Sequence, residues 1–146
     1  MREKTIAIVH YNTPELTKAA VLSIRKQGGG NYRVVIFENS CDAKLAHGES
    51  REARPFARLL DDEQTRKALG EVEIIDNSRG QLVDFDAELA KWPHKKNDAE
   101  NRLAHFGSAK HMMSVQKLWE ILPDGFILIE SDVLIVQPFE FLWDES

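Results

Sequence analysis

The chain predicts an α/β domain: a doubly wound, mostly parallel, Rossmann-like sheet with helices on both faces. Three observations lead there. Four short apolar runs rich in Val, Ile and Phe are spread along the 146 residues, stretches with helical periodicity fill the gaps, and each run stops abruptly at polar, mostly acidic residues. Near-continuous apolar strands belong to parallel sheets covered on both faces. Strand–helix alternation in turn implies right-handed βαβ units in one sheet.

The first strand is predicted over residues 5–10 (TIAIVH). A helix follows over 14–27, with Thr13 as N-cap and Pro14 at its first position, where a missing N–H costs nothing. Leu16, Ala19, Ala20, Ser23 and Ile24 recur along it at helical spacing, and the glycine run 28–30 ends it. The second strand is predicted over 32–37 (YRVVIF) and a second helix over 56–69, where Phe56, Leu59 and Leu60 share one side. A third strand falls at 72–75 (VEII), and a helix over 82–92 carries Phe85, Leu89 and Trp92 as a core stripe. The last helix is predicted over 108–122 with Met112, Val115, Trp119 and Leu122 inward, and the last strand over 126–129 (FILI). Two polar stretches, 39–55 and 93–105, read as long surface loops.

A length of 146 residues suits one domain able to bury a core, and 42% apolar with 29% charged residues is an ordinary globular composition. A net charge of −5 argues against a nucleic-acid-coating protein, which needs clustered Lys and Arg. The short cluster His94-Lys95-Lys96 reads as a solvated loop. No apolar run approaches the roughly 20 residues of a transmembrane segment. The apolar stretch after Met1-Arg2-Glu3-Lys4 is shorter than the hydrophobic region of a signal peptide. A single cysteine, Cys41, excludes an internal disulfide and a Cys-rich zinc site. The expected setting is cytoplasmic, compatible with work at the inner face of a membrane through parts outside this chain.

Ligands of open parallel sheets bind outside the carboxyl ends of the strands, so the residues that follow each apolar run are the candidates for function. They are His10-Tyr11-Asn12, Glu38-Asn39-Ser40-Cys41-Asp42, Asp76-Asn77-Ser78-Arg79 and Glu130-Ser131-Asp132. In extended backbone Glu130 and Asp132 would point to one face. Two such carboxylates repel unless a cation lies near them, and hard oxygen ligands suit Mg²⁺ or Mn²⁺. His105 and His111 flank a predicted helix start without a third soft ligand, Arg79 reads as a loop arginine and Trp143 as packing.

Read together, these segments resemble the GT-A glycosyltransferases, above all the inverting family 2 group. KTIAIVHYNTPELTKAAVLSI is similar to that family's first strand, Tyr-Asn turn and first helix. RVVIFENSCD resembles its second strand and Asp-Asn-Gly-Ser-x-Asp turn, with Glu38 at the first acid, no glycine, and Asp42 at the last acid. GSAKHMMSVQKLWEILPDGFILIESDVLI is similar to the helix and strand that deliver the Asp-x-Asp motif, with Glu130 and Asp132 at the two acids. Glu for Asp at two acid positions keeps the charge but moves the carboxylate by about 1.5 Å, one carbon–carbon bond.

The resemblance implies that residues 1–146 form a nucleotide-diphospho-sugar-binding domain acting in transfer of a sugar to a glycan or lipid-linked acceptor, in surface polysaccharide assembly. It implies Tyr11 against the nucleobase, Asn12 beside it in the nucleotide-binding set, Glu38 hydrogen-bonded to the base, Asp42 in the same turn and Lys110 near the diphosphate. Asp132 is implied as principal ligand of Mn²⁺ or Mg²⁺, with Glu130 on the ribose or assisting the metal. The acceptor half and the catalytic base of the family lie downstream of the acid pair, so both are expected beyond Ser146, and the fragment alone is expected to be inactive. A dinucleotide-binding oxidoreductase would need G-x-G-x-x-G after the first strand, where this chain has His10-Tyr11-Asn12-Thr13-Pro14, and no P-loop is present. A non-catalytic nucleotide-binding or protein-interaction module of the same fold is the alternative left open.

Overall fold

The computed structural model describes residues 4–28, 32–40, 55–91 and 99–139. Its elements run β1 (Thr5–His10), α1 (Pro14–Gly28), β2 (Arg33–Glu38), α2 (Pro55–Leu59), α3 (Glu63–Leu69), β3 (Val72–Asp76), α4 (Phe85–Ala90), α5 (Ala99–Ile121) and β4 (Ile127–Leu128). The four strands form one all-parallel sheet in the order β3-β2-β1-β4. Parallel order with helical crossovers defines the class as α/β.

Strand periodicity divides the core in two. Ile6, Ile8, Val34 and Ile36 turn to one face, where Ala20, Val21 and Ile24 of α1, Phe56 of α2 and Leu69 of α3 cover them. Ala7, Val35 and Phe37 turn to the other and pack against Leu118 of α5 and Leu122. Helices thus cover both faces, as continuous apolar strands require. After β4 the chain crosses back over α1: Ile135 N donates to Ser23 Oγ at 2.9 Å and Phe139 stacks on Tyr32 at 4.9 Å. Tyr32 also explains Gly28, since any Cβ there would run into its ring.

Several predicted elements differ in detail, for identifiable reasons. The single helix predicted over 56–69 is two, because Asp62 sits in extended backbone and caps Thr65 N, starting α3 afresh. α5 begins at Ala99 where a loop to residue 105 was predicted; Ala, Glu, Arg and Leu are strong helix formers whatever their polarity. The inward face of α5 is also rotated from the predicted one. Met112 and Trp119 are 69% and 56% exposed, while Ser114 and Leu118 are fully buried. A polar serine in the stripe disguised it. In α1 the buried set is Thr17, Ala20, Val21 and Ile24, and Leu16 faces solvent. β2 and β3 each run one residue further than predicted, to Glu38 and Asp76, and β4 pairs only over Ile127–Leu128. The predicted stripe residue Trp92, the loop residues 41–54, Trp143 and Asp42 lie outside the described residues.

Candidate functional site at the carboxyl edge of the sheet

The chain goes outward from β1 to β2 and β3, then returns to place β4 on the other side of β1. The strand order reverses between β1 and β4, and at such a switch point the connections diverge and leave a crevice beyond the carboxyl ends. Tyr11 and Asn12 follow β1, and Glu130, Ser131 and Asp132 follow β4, so the two segments flank this point. Asn12 has φ +50°, a left-handed conformation that asparagine tolerates, and its N–H donates to Ser40 Oγ at 2.9 Å. The turn after β1 is thereby tied to the end of β2.

Glu130 and Asp132 do not continue β4 as an extended strand. Val133 N donates to Glu130 O at 3.1 Å, closing a turn with Ser131 and Asp132 at its corner. The two acids therefore do not lie on one face of an extended strand, the arrangement the sequence predicts. Both are exposed, and Glu130 Oε1 lies 3.2 Å from His111 Nε2 on α5. One turn of α5 supplies the adjacent Lys110, whose ammonium sits 5.1 Å from the Tyr11 ring centroid and 5.4 Å from that of Phe85. Tyr11 and Glu130 thus follow the two neighbouring strands β1 and β4, with Lys110 and His111 of α5 beside them. No cluster of three or more His, Cys, Asp or Glu side chains forms among the described residues.

A buried polar chain fixes α5 over this edge. Ser114 Oγ donates to Lys110 O at 2.6 Å and accepts from Asn39 Nδ2 at 2.7 Å. Asn39 Oδ1 accepts from Asn77 Nδ2 at 3.1 Å, and Asn77 Oδ1 accepts from Leu82 N and Val83 N. The ends of β2 and β3, the approach to α4 and the middle of α5 share one network. Buried polar groups with all partners present rigidify what they connect. Asn39 is among the strand-end candidates of the sequence, whereas Ser114 is not; its only signal is a serine four residues after Lys110 in an otherwise apolar helical stripe.

Glu38 lies elsewhere. The pleat turns it with His10 toward α1 and α2, the face opposite α5, and both side chains are fully buried. His10 Nδ1 is 2.6 Å from Thr17 Oγ1, its ring packs 5.6 Å from Phe56, and its Nε2 is 3.8 Å from Glu38 Oε1, too far for a hydrogen bond. Burial holds the imidazole pKa down to about 4, so it is neutral at pH 7. Burial also pushes the Glu38 carboxyl up, against the opposing effect of its bonds from Ser40, and Asp76 adds to the rise. Hydroxyl, imidazole and carboxyl in a row resemble a nucleophilic relay, but no substrate reaches three buried groups. What Glu38 does reach is Ser40, whose N–H donates to its Oε1 at 2.9 Å, the same residue whose hydroxyl holds Asn12.

Of the residues predicted from sequence, Lys110 lies beside Tyr11, Glu130 lies beside His111, the sequence neighbour of Lys110, Asn12 follows Tyr11, Asp132 sits in the turn after Glu130, Glu38 sits behind the sheet, and Asp42 lies outside the described residues. Arg79 is exposed, and Asp76 is engaged by Ser78 N and Oγ in a turn. Among the described residues no helix is long and apolar enough to cross a membrane. The chain matches no protein-family model, no curated protein and no solved structure.

Proposed function

We propose that this chain is the nucleotide-diphospho-sugar-binding portion of a metal-assisted glycosyltransferase of the GT-A type, similar to family 2. The observation that carries the reading is the strand order β3-β2-β1-β4 with an exposed aromatic ring beyond β1 and an exposed acid pair beyond β4. An aromatic ring, a cation and two carboxylates around one switch point match the parts of a sugar nucleotide: a base to stack, a diphosphate to neutralise, a cation to share.

The donor set suits Mg²⁺ or Mn²⁺. Asp132 and Glu130 are hard oxygen ligands, and these ions bind through one or two carboxylates plus substrate phosphates. When bound, that cation supplies Lewis-acid stabilisation of charge on the leaving diphosphate.

The chain's own residues then divide the work. Tyr11, 42% exposed, offers a face for the base, and Lys110 lies beside it to offset phosphate charge. His111 holds Glu130, leaving Asp132 as the freer carboxylate. Glu38 acts from behind the sheet, setting Ser40 and through it the Tyr11-Asn12 turn. The direct contact of Glu38 with the base implied by the resemblance is replaced in this reading by a positioning role.

Calorimetric titration of UDP with and without Mn²⁺, on wild type and Asp132→Ala, tests the reading. Metal-dependent binding lost in the variant is expected. Binding indifferent to both metal and substitution would return the acid pair to structure, and failure of UDP, GDP and other nucleotides to bind would leave only a non-catalytic module.

A further inference from the structure

His10, Glu38 and Asp76 are register partners across β1, β2 and β3, so three titratable side chains stand in one row at the carboxyl ends of the strands. His10 and Glu38 are fully buried, out of reach of any ligand. Two buried atoms of this row, His10 Nε2 and Glu38 Oε2, have no hydrogen-bond partner. Unpaired buried polar atoms are uncommon and costly, so two of them on neighbouring residues call for a reason.

The spacing supplies one. His10 Nδ1 is engaged by Thr17 Oγ1 at 2.6 Å, which leaves Nε2 facing Glu38 Oε1 across 3.8 Å. An N–H that faces a carboxylate closes to about 2.8 Å, whereas two lone pairs stand apart. The gap therefore fits a neutral imidazole with its proton on Nδ1 and a bare Nε2. Glu38 Oε1 meanwhile accepts from Ser40 N at 2.9 Å, and Ser40 Oγ accepts from Asn12 N at 2.9 Å.

We propose that Glu38 is a proton-operated latch on the Tyr11-Asn12 turn. Ionised, it holds Ser40 and through it Asn12. On taking a proton from solvent, its new O–H donates to His10 Nε2 and its grip on Ser40 N loosens. A hydrogen bond to a charged acceptor is roughly twice as strong as one to a neutral acceptor, so the ionised state is the tighter one. Asn12, at φ +50°, is in a conformation few residues other than glycine adopt, so a looser Ser40 acts where the backbone has most to relax. Around the pair, α1 contributes Thr17 and α2 the Phe56 ring, neither charged, while Glu15 of α1 and Arg58 of α2 are exposed. Burial raises the carboxyl above its usual 4.5 and the charge of Asp76 on β3 adds to the rise, against the bonds from Ser40 and the Phe56 backbone. The latch thus opens as pH falls from neutrality toward 4.5. The device requires no nucleotide; only its effect on a base at Tyr11 rests on the function proposed above.

Nuclear magnetic resonance of the full chain, from about pH 8 down to about pH 4.5, tests it through the His10 ring nitrogens, the Glu38 carboxyl carbon and amide exchange at Asn12. At neutral pH the proton of the imidazole is expected on Nδ1. As pH falls, the Glu38 carboxyl and His10 Nε2 signals should move with one midpoint above 4.5. Over the same range the protection of the Asn12 amide should drop roughly fivefold relative to that of Ile8 in β1, the loss of a charged acceptor. Glu38→Gln, whose amide can donate to Nε2 at any pH, should show the loosened Asn12 throughout. The wild-type titration decides alone should Glu38→Gln fail to fold. The proposal is overturned if Nε2 carries the proton of the neutral imidazole, if Asn12 protection does not follow the Glu38 titration, or if Glu38→Gln keeps the wild-type pH dependence.

Discussion

At the amino edge of the sheet one side chain closes the backbone; at the carboxyl edge the backbone holds side chains open. Arg25, near the end of α1, donates to the carbonyls of Tyr32, Leu69 and Glu71, joining α1 to the start of β2 and to the connection from α3 to β3. Arg33 beside it pairs with Glu73 at 2.7 Å. At the other edge the hydrogen bonds run mostly from side chain to side chain or to turns, linking Asn39, Asn77 and Ser114 behind the exposed Tyr11, Glu130 and Asp132. The amino edge ties its polar groups to its own backbone, whereas the carboxyl edge buries a side-chain network and leaves Tyr11, Glu130 and Asp132 exposed. That division is what an open parallel sheet with a switch point should show.

Substitutions can break this contrast at either end. The largest effect is expected for Arg25→Ala, which strands three carbonyls; urea unfolding should show a loss of about 4 kcal/mol, with UDP affinity unchanged. If nucleotide binding fell in proportion, the two edges would not be independent.

Next in size is the buried His10. Its folded pKa of about 4 lies below the model-peptide value of 6.5, so the unfolded chain takes up a proton first as pH falls. Its contribution is fully present above about pH 6.5 and is lost progressively down to pH 4, about 3 kcal/mol at 1.36 kcal/mol per unit. Glu38 acts in the opposite sense: a raised carboxyl pKa favours folding at low pH and is lost as pH rises from 4.5 through the folded value. The two oppose each other as pH rises above 4.5, so the stability difference between wild type and His10→Gln, followed by denaturant titration across pH, isolates the imidazole. A difference independent of pH would show that His10 is not held neutral.

Smaller effects sharpen the comparison. Ser114→Ala leaves the Asn39 amide without its acceptor inside the core and should cost about 1–2 kcal/mol in denaturant unfolding. Gly70, with φ +69° and Arg25 Nε 3.2 Å from where a Cβ would lie, should lose about 1–2 kcal/mol as Gly70→Ala without touching ligand binding. Smallest of all, Asp132→Ala should alter stability by no more than about 0.5 kcal/mol, since an exposed turn residue makes few contacts, yet abolish metal-dependent binding. A stability loss as large as that of Ser114→Ala would mark Asp132 as structural.

The sequence by itself determined the four strands, their parallel pairing and the placement of polar residues at their ends, because runs such as IAIV and VVIF can be satisfied only by burial on both faces. It also determined that Tyr11 and the acids beyond β4 belong to one edge, since that follows from strand direction alone. It could not decide which side of the sheet each end residue takes. Glu38 and Asn39 are neighbours, yet the pleat sends one to the α1 face and the other to Ser114 on α5. Nor could it decide the rotation of α5, because the buried stripe includes a serine whose hydroxyl is satisfied by a residue 75 positions away. Those choices depend on where distant donors and acceptors meet, and only the assembled tertiary structure brings them within reach.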